Sequence, residues 1–189
     1  MADRIDVPRS GRIRSFVALP LPDDQRGRLA AYLDECARAA PGFRWVPAAN
    51  LHLTLRFLGN LEPETLAVVR GGLGGVRAEP FTVALGELGT FGSQSAPRVV
   101  WLGVQTGLDE MARLAAAIEE PVRAAGVPGE DRPFRAHLTL ARAGSRPRRP
   151  ELPPPPVLAP WRAGELVLYQ SRPGRPAPAY VPLARYPLG

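Results

Sequence analysis

The chain of 189 residues has no lysine. Its 24 basic residues are all arginine, set against 18 acidic residues for a net charge of +6. Histidine is nearly absent too: two residues are the whole supply of side chains that titrate near neutral pH. A single cysteine, Cys36, excludes an intramolecular disulfide, so nothing implies an oxidising compartment. No segment approaches the ~18–20 consecutive apolar residues of a membrane-spanning helix, and Met1 to Arg14 lacks the apolar core of a signal peptide. A cytoplasmic protein with no membrane partner is the expectation. The 45% hydrophobic content is ordinary for a globular chain and excludes fibrous and disordered classes. The arginine excess reads either as a solvated surface or as a surface for an anion; the planar guanidinium fork suits phosphate in particular.

The two histidines stand in identical settings, His52-Leu53-Thr54-Leu55 and His137-Leu138-Thr139-Leu140. In an extended strand, side chains alternate between faces, so each His shares a face with its Thr while the leucines take the other. By the same parity Arg56 joins His52 and Thr54. Arg142 lies five residues after His137 and turns away from that face unless a bulge re-aims it.

Residues 1–11 are polar and broken by Pro8 and Gly11, a flexible leader to a single domain over 12–189. Strands are expected at 13–19, 43–46, 52–59, 81–88, 98–104, 134–142, 166–169 and 180–186. A first helix opens at Asp23 and Asp24, a second at Pro63, and a third spans 107–125 with Leu108, Met111, Leu114, Ala115 and Ile118 on one stripe. Gly71, Gly72, Gly74 and Gly75 match no nucleotide-binding fingerprint and read as a frayed helix end. Residues 143–160, rich in Pro, Arg and Gly, are read as a solvated linker, with a basic flap on a polyanion as the alternative. This order is not a strict βα alternation. It implies an α+β architecture with mainly antiparallel sheets and outer helices, and the recurrence of helix then motif strand implies two halves related by a pseudo-twofold axis.

Two opposed imidazoles suit in-line displacement at phosphorus, one taking a proton from the incoming oxygen and the other giving one to the leaving oxygen. The Thr hydroxyls would donate to the non-bridging oxygens, and Arg56 would add charge. Two histidines and one cysteine, without His-Glu-x-x-His or Cys-x-x-Cys spacing, leave too few metal ligands, so no metal or cofactor is expected. A serine-hydrolase triad fails for want of a Gly-x-Ser-x-Gly turn.

The segments 50–59 and 134–142, with Phe16-Val17-Ala18-Leu19, Trp101-Leu102-Gly103-Val104 and Tyr180, resemble the 2H phosphoesterase superfamily, in particular the RNA 2′,3′-cyclic phosphodiesterases, also called 2′-5′ RNA ligases. The resemblance implies a bilobal fold around a central cleft and metal-independent hydrolysis of RNA 2′,3′-cyclic phosphate ends to 2′-phosphates. It assigns His52 as proton donor to the leaving 3′ oxygen, His137 as proton acceptor, and Thr54 and Thr139 as phosphate-binding residues, with Arg142 matching the arginine that often ends the second motif. Where the family often has proline before the second histidine, this chain has Ala136. Substrates would be RNA ends such as tRNA fragments, or small cyclic nucleotides, taken by a monomer. Two readings stay open beside hydrolysis: 2′-5′ ligation, and a module that binds a nucleotide or RNA end without turnover. Phe16, Phe43, Trp45, Phe57 and Trp101 are candidates for base stacking, with core packing the expected role of each.

Overall fold

In the computed structural model the described residues are 11–189 apart from 94, 145–148 and 176. Nearly all of the expected leader and the Arg146-Pro147-Arg148 run lie outside them.

The first strand, β1 (Ile13–Pro20), is apolar enough to be covered on both faces. Helix α1 (Asp23–Ala39) starts after Pro22, carries Asp23 and Asp24 in its first turn, and buries Gln25, Leu29, Tyr32, Leu33 and Cys36 on one stripe. A short strand β2 (Phe43–Trp45) and a single 3₁₀ turn (Ala48–Asn50) lead into the first motif strand, β3 (His52–Leu61). Helix α2 (Pro63–Leu73) precedes the hairpin of β4 (Phe81–Gly92) and β5 (Pro97–Thr106). Helix α3 (Leu108–Ala124) then leads to the second motif strand, β6 (His137–Ala143). Strands β7 (Trp161–Ala163), β8 (Glu165–Arg172) and β9 (Ala179–Pro187) close the chain.

Every ladder is antiparallel, in the order β7-β4-β5-β6-β3-β1-β8-β9, with β2 also on β6. The two motif strands pair at one position only, Leu53 opposite Leu138. One antiparallel sheet thus runs through the junction of β3 and β6, an α+β arrangement as expected. In each half a strand, a helix and a motif strand follow in turn (β1-α1-β3 and β5-α3-β6), and each motif strand pairs antiparallel with the strand before its helix. The motif leucines hold the junction: Leu53, Leu138 and Leu140 are fully buried and Leu55 nearly so, all in one apolar core. Burying one such side chain contributes about 1.5–3 kcal/mol, so the strands are held by the residues between the polar ones.

Several expectations need correction. Gly71 and Gly72 lie inside α2 rather than in a frayed end, because α2 packs on α3: a Cβ on Gly72 would sit 2.7 Å from Cβ of Pro121. Leu108 is exposed, at the first position of α3, off the stripe that buries Met111, Leu114, Ala115, Ile118 and Val122. Residues 134–136 are not laddered, and β6 starts at His137. The described part of the Pro-rich segment is tied to α1: Tyr32 Oη donates to the carbonyl of Pro153 and Gln25 Nε2 to that of Ala159. Leu152 and Leu158 pack on the core.

Candidate active site

Both motif strands carry the same irregularity. In β3, Thr54 faces Ala18 and Arg56 faces Val17, so Leu55 is an extra residue in the ladder with β1. In β6, Thr139 faces Trp101 and Ala141 faces Val100, so Leu140 is the extra residue in the ladder with β5. Each insertion reverses the alternation beyond it. His52 and Thr54, like His137 and Thr139, are half-buried between buried leucines; after the bulge the next residue turns inward and the one after turns out.

This corrects the placement expected for Arg56. It is 6% exposed and points away from the cleft, where Nε donates to Glu119 at 2.6 Å and Nη1 reaches Glu130 at 3.2 Å. It also donates to the carbonyls of Phe57 and Pro128. Burial alone would raise Glu119, but hydrogen bonds from Arg56 and Arg123 outweigh it and hold the carboxyl below its usual range. In place of Arg56, the residue on the cleft face of β3 is Phe57, 45% exposed. In β6 the same bulge re-aims Arg142 to the cleft.

The histidines are held alike. Nδ1 of His52 lies 2.7 Å from the carbonyl of Asn50, and Nδ1 of His137 lies 2.7 Å from that of Arg135. A carbonyl only accepts, so each Nδ1 carries the hydrogen and each Nε2 is left to accept or, once protonated, donate. The supporting carbonyl precedes each histidine by two residues, so the device belongs to the strand entry. Burial is the main cause that lowers both imidazoles, His52 to about 4, with the Arg142 cation lowering both further; the hydrogen bond to Asn50 or Arg135 opposes this. His137 also depresses His52 by its charge.

Two cavities meet at the motif residues. One of about 540 Å³ is lined by His52, Thr54, Thr139 and Arg142; the other, of about 860 Å³, by His137, Thr54 and Arg142. Thr54, Phe57 and Arg142 belong to both, so an anion at this waist has an imidazole on either side. The structure thus brings His52, Thr54, Thr139, His137 and Arg142 to one cleft and leaves Arg56 outside it. Among the described residues no three His, Cys, Asp or Glu side chains cluster as metal ligands would.

Aromatic rings back both imidazoles. The Phe16 ring lies 4.6 Å from that of His52 and Tyr180 meets it edge-on at 5.2 Å; Phe91 meets His137 edge-on at 5.0 Å. Phe16 and Phe43 are buried, and Trp45 Nε1 donates to Ala40, so these three are packing residues. Phe57, a stacking candidate expected to pack in the core, faces the cleft instead, and Phe91 escaped sequence reading because β4 runs four residues past the expected end of its strand, to Gly92.

The LigT-like phosphoesterase model matches the chain twice, over residues 19–101 and 102–180, one match for each motif. The chain belongs to this family. An RNA 2′,3′-cyclic phosphodiesterase of Escherichia coli is 32% identical over 175 residues, covering 93% of this chain and 96% of its own length. One from Geobacillus stearothermophilus is 32% identical over 185 residues, covering 94% of this chain, which spans 58% of that longer protein. Among solved structures, E. coli LigT complexed with 3′-AMP is 31% identical with a TM-score of 0.80, over 94% of this chain and 98% of that one.

Proposed function

We propose that this LigT-like phosphoesterase hydrolyses RNA 2′,3′-cyclic phosphate ends to 2′-phosphates, with His52 and His137 as the acid and base. The observation that carries the reading is the shared waist, where a cavity lined by His52 and Thr139 and one lined by His137 meet at Thr54, Phe57 and Arg142. Relatives named RNA 2′,3′-cyclic phosphodiesterase and a related LigT structure complexed with 3′-AMP support the substrate class.

In the proposed step His137 Nε2 takes a proton from water as its oxygen bonds to phosphorus. The bond to O3′ breaks on the opposite side, and His52 Nε2–H protonates O3′. The two imidazoles move both protons, so no metal-bound hydroxide is needed. The Thr54 and Thr139 hydroxyls and the Arg142 fork hold the non-bridging oxygens as charge gathers there.

The order of the two roles comes from the family resemblance, and the ligand-free electrostatics make a demand on it. His52 is the imidazole lowered to about 4, so as donor it must regain a proton when an anionic phosphate offsets Arg142. Incubation with an oligonucleotide ending in a 2′,3′-cyclic phosphate, in the presence of chelator, is expected to yield only the 2′-phosphate. A 3′-phosphate product, or a requirement for added metal, would overturn the reading.

A further inference from the structure

The cleft holds more room than a cyclic nucleotide and a water require. The cavity beside His52, at about 540 Å³, already lies within the range of about 300–1,000 Å³ usual for small-molecule sites. A water takes roughly 30 Å³ of liquid volume, yet the cavity beside His137 is the larger, at about 860 Å³.

Its wall has a distinct chemistry. Phe57, Phe91 and Phe134 supply apolar surface, and Arg132, Arg135 and Arg142 supply charge. The single acidic residue on this wall, Glu130, is held by Arg56 at 3.2 Å. Among the described residues none of the three arginines forms a salt bridge, and the Arg135 guanidinium lies over the Phe91 ring at 5.9 Å. Guanidinium groups without a salt bridge beside the exposed Phe57 ring and the partly buried Phe91 and Phe134 rings suit a flat base with a phosphate next to it. A base stacked on an aromatic side chain is worth about 1–3 kcal/mol, and an arginine fork grips phosphate through two parallel hydrogen bonds.

We infer that the cavity beside His137 is a second nucleotide subsite, stacking a base near Phe57 and holding its phosphate with Arg132 and Arg135, outside the nucleotide that reacts. This rests on the reading of the cleft given above. The base and phosphate could come from the neighbouring nucleotide of the same strand or from the 5′ end of another strand.

The test compares kcat/KM for a nucleoside 2′,3′-cyclic phosphate with that for a dinucleotide carrying the same cyclic end. A parallel arm adds a short RNA with a 5′-hydroxyl and no cyclic phosphate to the mononucleotide assay. A same-strand occupant gives the dinucleotide an advantage of about tenfold or more, and a second-strand occupant makes the added RNA inhibit. In either case the double variant Arg132→Gln/Arg135→Gln and, separately, Phe57→Leu are expected to cut the effect at least fivefold. No advantage and no inhibition in the parent protein, or an effect unchanged in the variants, overturns the subsite. Should the parent protein turn over neither substrate, the hydrolysis proposal fails by itself. Calorimetric affinities for mono- and dinucleotides ending in 2′-phosphate then decide the subsite separately, equal values overturning it.

Discussion

The two motif strands begin alike and then part. β3 and β6 each present a His and a Thr to the cleft, bury two leucines, insert the second of them as a bulge, and turn the fifth residue after the histidine outward. Their side chains beyond the bulge are opposite in kind. β3 sends an arginine inward and a phenylalanine out, whereas β6 sends Ala141 inward and Arg142 out. One backbone device therefore serves two purposes. In β6 it delivers a cation, Arg142, to the point where the two cavities meet. In β3 the cation ties the strand to Glu119 of α3 and to the loop at 128–130, which runs on to the carbonyl supporting His137.

The largest expected effect falls on what the strands share. Replacing His52 or His137 by alanine should each lower turnover of a cyclic phosphate end by about 10²–10⁴-fold, the usual range for one general acid or base. Circular dichroism and a melting curve should show the fold retained, since neither imidazole supplies the apolar core. Turnover unchanged in both variants would remove the proposed pair.

The two arginines should fail differently. Arg56→Met removes a buried guanidinium from its pairs with Glu119 and Glu130, and because Glu119 keeps Arg123 the expected loss is that of charge-assisted hydrogen bonds, about 1.5–3 kcal/mol. A fall in the urea midpoint measures this; an unchanged midpoint would mean that the network around Arg56 contributes nothing to the fold. Arg142→Gln, at an exposed position, should leave the midpoint in place and lower kcat/KM about 10–100-fold, by losing a charge-assisted contact of about 1.5–3 kcal/mol. Similar stability losses in both variants would erase the distinction between the strands.

Much of this was legible in the sequence up to the fourth residue of each motif. The alternation of His-Leu-Thr-Leu placed His52, Thr54, His137 and Thr139 on one face and the leucines in the core. The reading failed at the bulge, because an inserted residue changes parity without changing composition. In β6 a trace exists: Leu140 and Ala141 are adjacent apolar residues where alternation calls for a polar one. In β3 the trace is inverted, since the buried position holds Arg56 and the exposed one Phe57, against the usual sorting of charge and hydrocarbon. Strand β7 was missed for a different reason. Three residues after a proline-rich run carry no period, and Trp161 to Ala163 pair only through the register that β4 offers.

The subtlest contrast is between the two imidazoles, and pH should expose it. Burial lowers both, but His52 the further, to about 4 from an ordinary value near 6.5. Between those values the unfolded chain binds the proton that folded His52 refuses, so stability rises with pH across this window. The contribution is complete above pH 6.5 and is lost as pH falls through 4, amounting to at most about 3 kcal/mol. Carboxylates titrate in the same window, so the parent slope alone is not diagnostic. Urea unfolding at pH 7 and pH 4 should show that His52→Asn removes more of the parent protein's pH dependence than His137→Asn does. Equal removal by the two variants would mean that the strands hold their imidazoles in equivalent environments, and the greater burial of His52 would then have no energetic consequence.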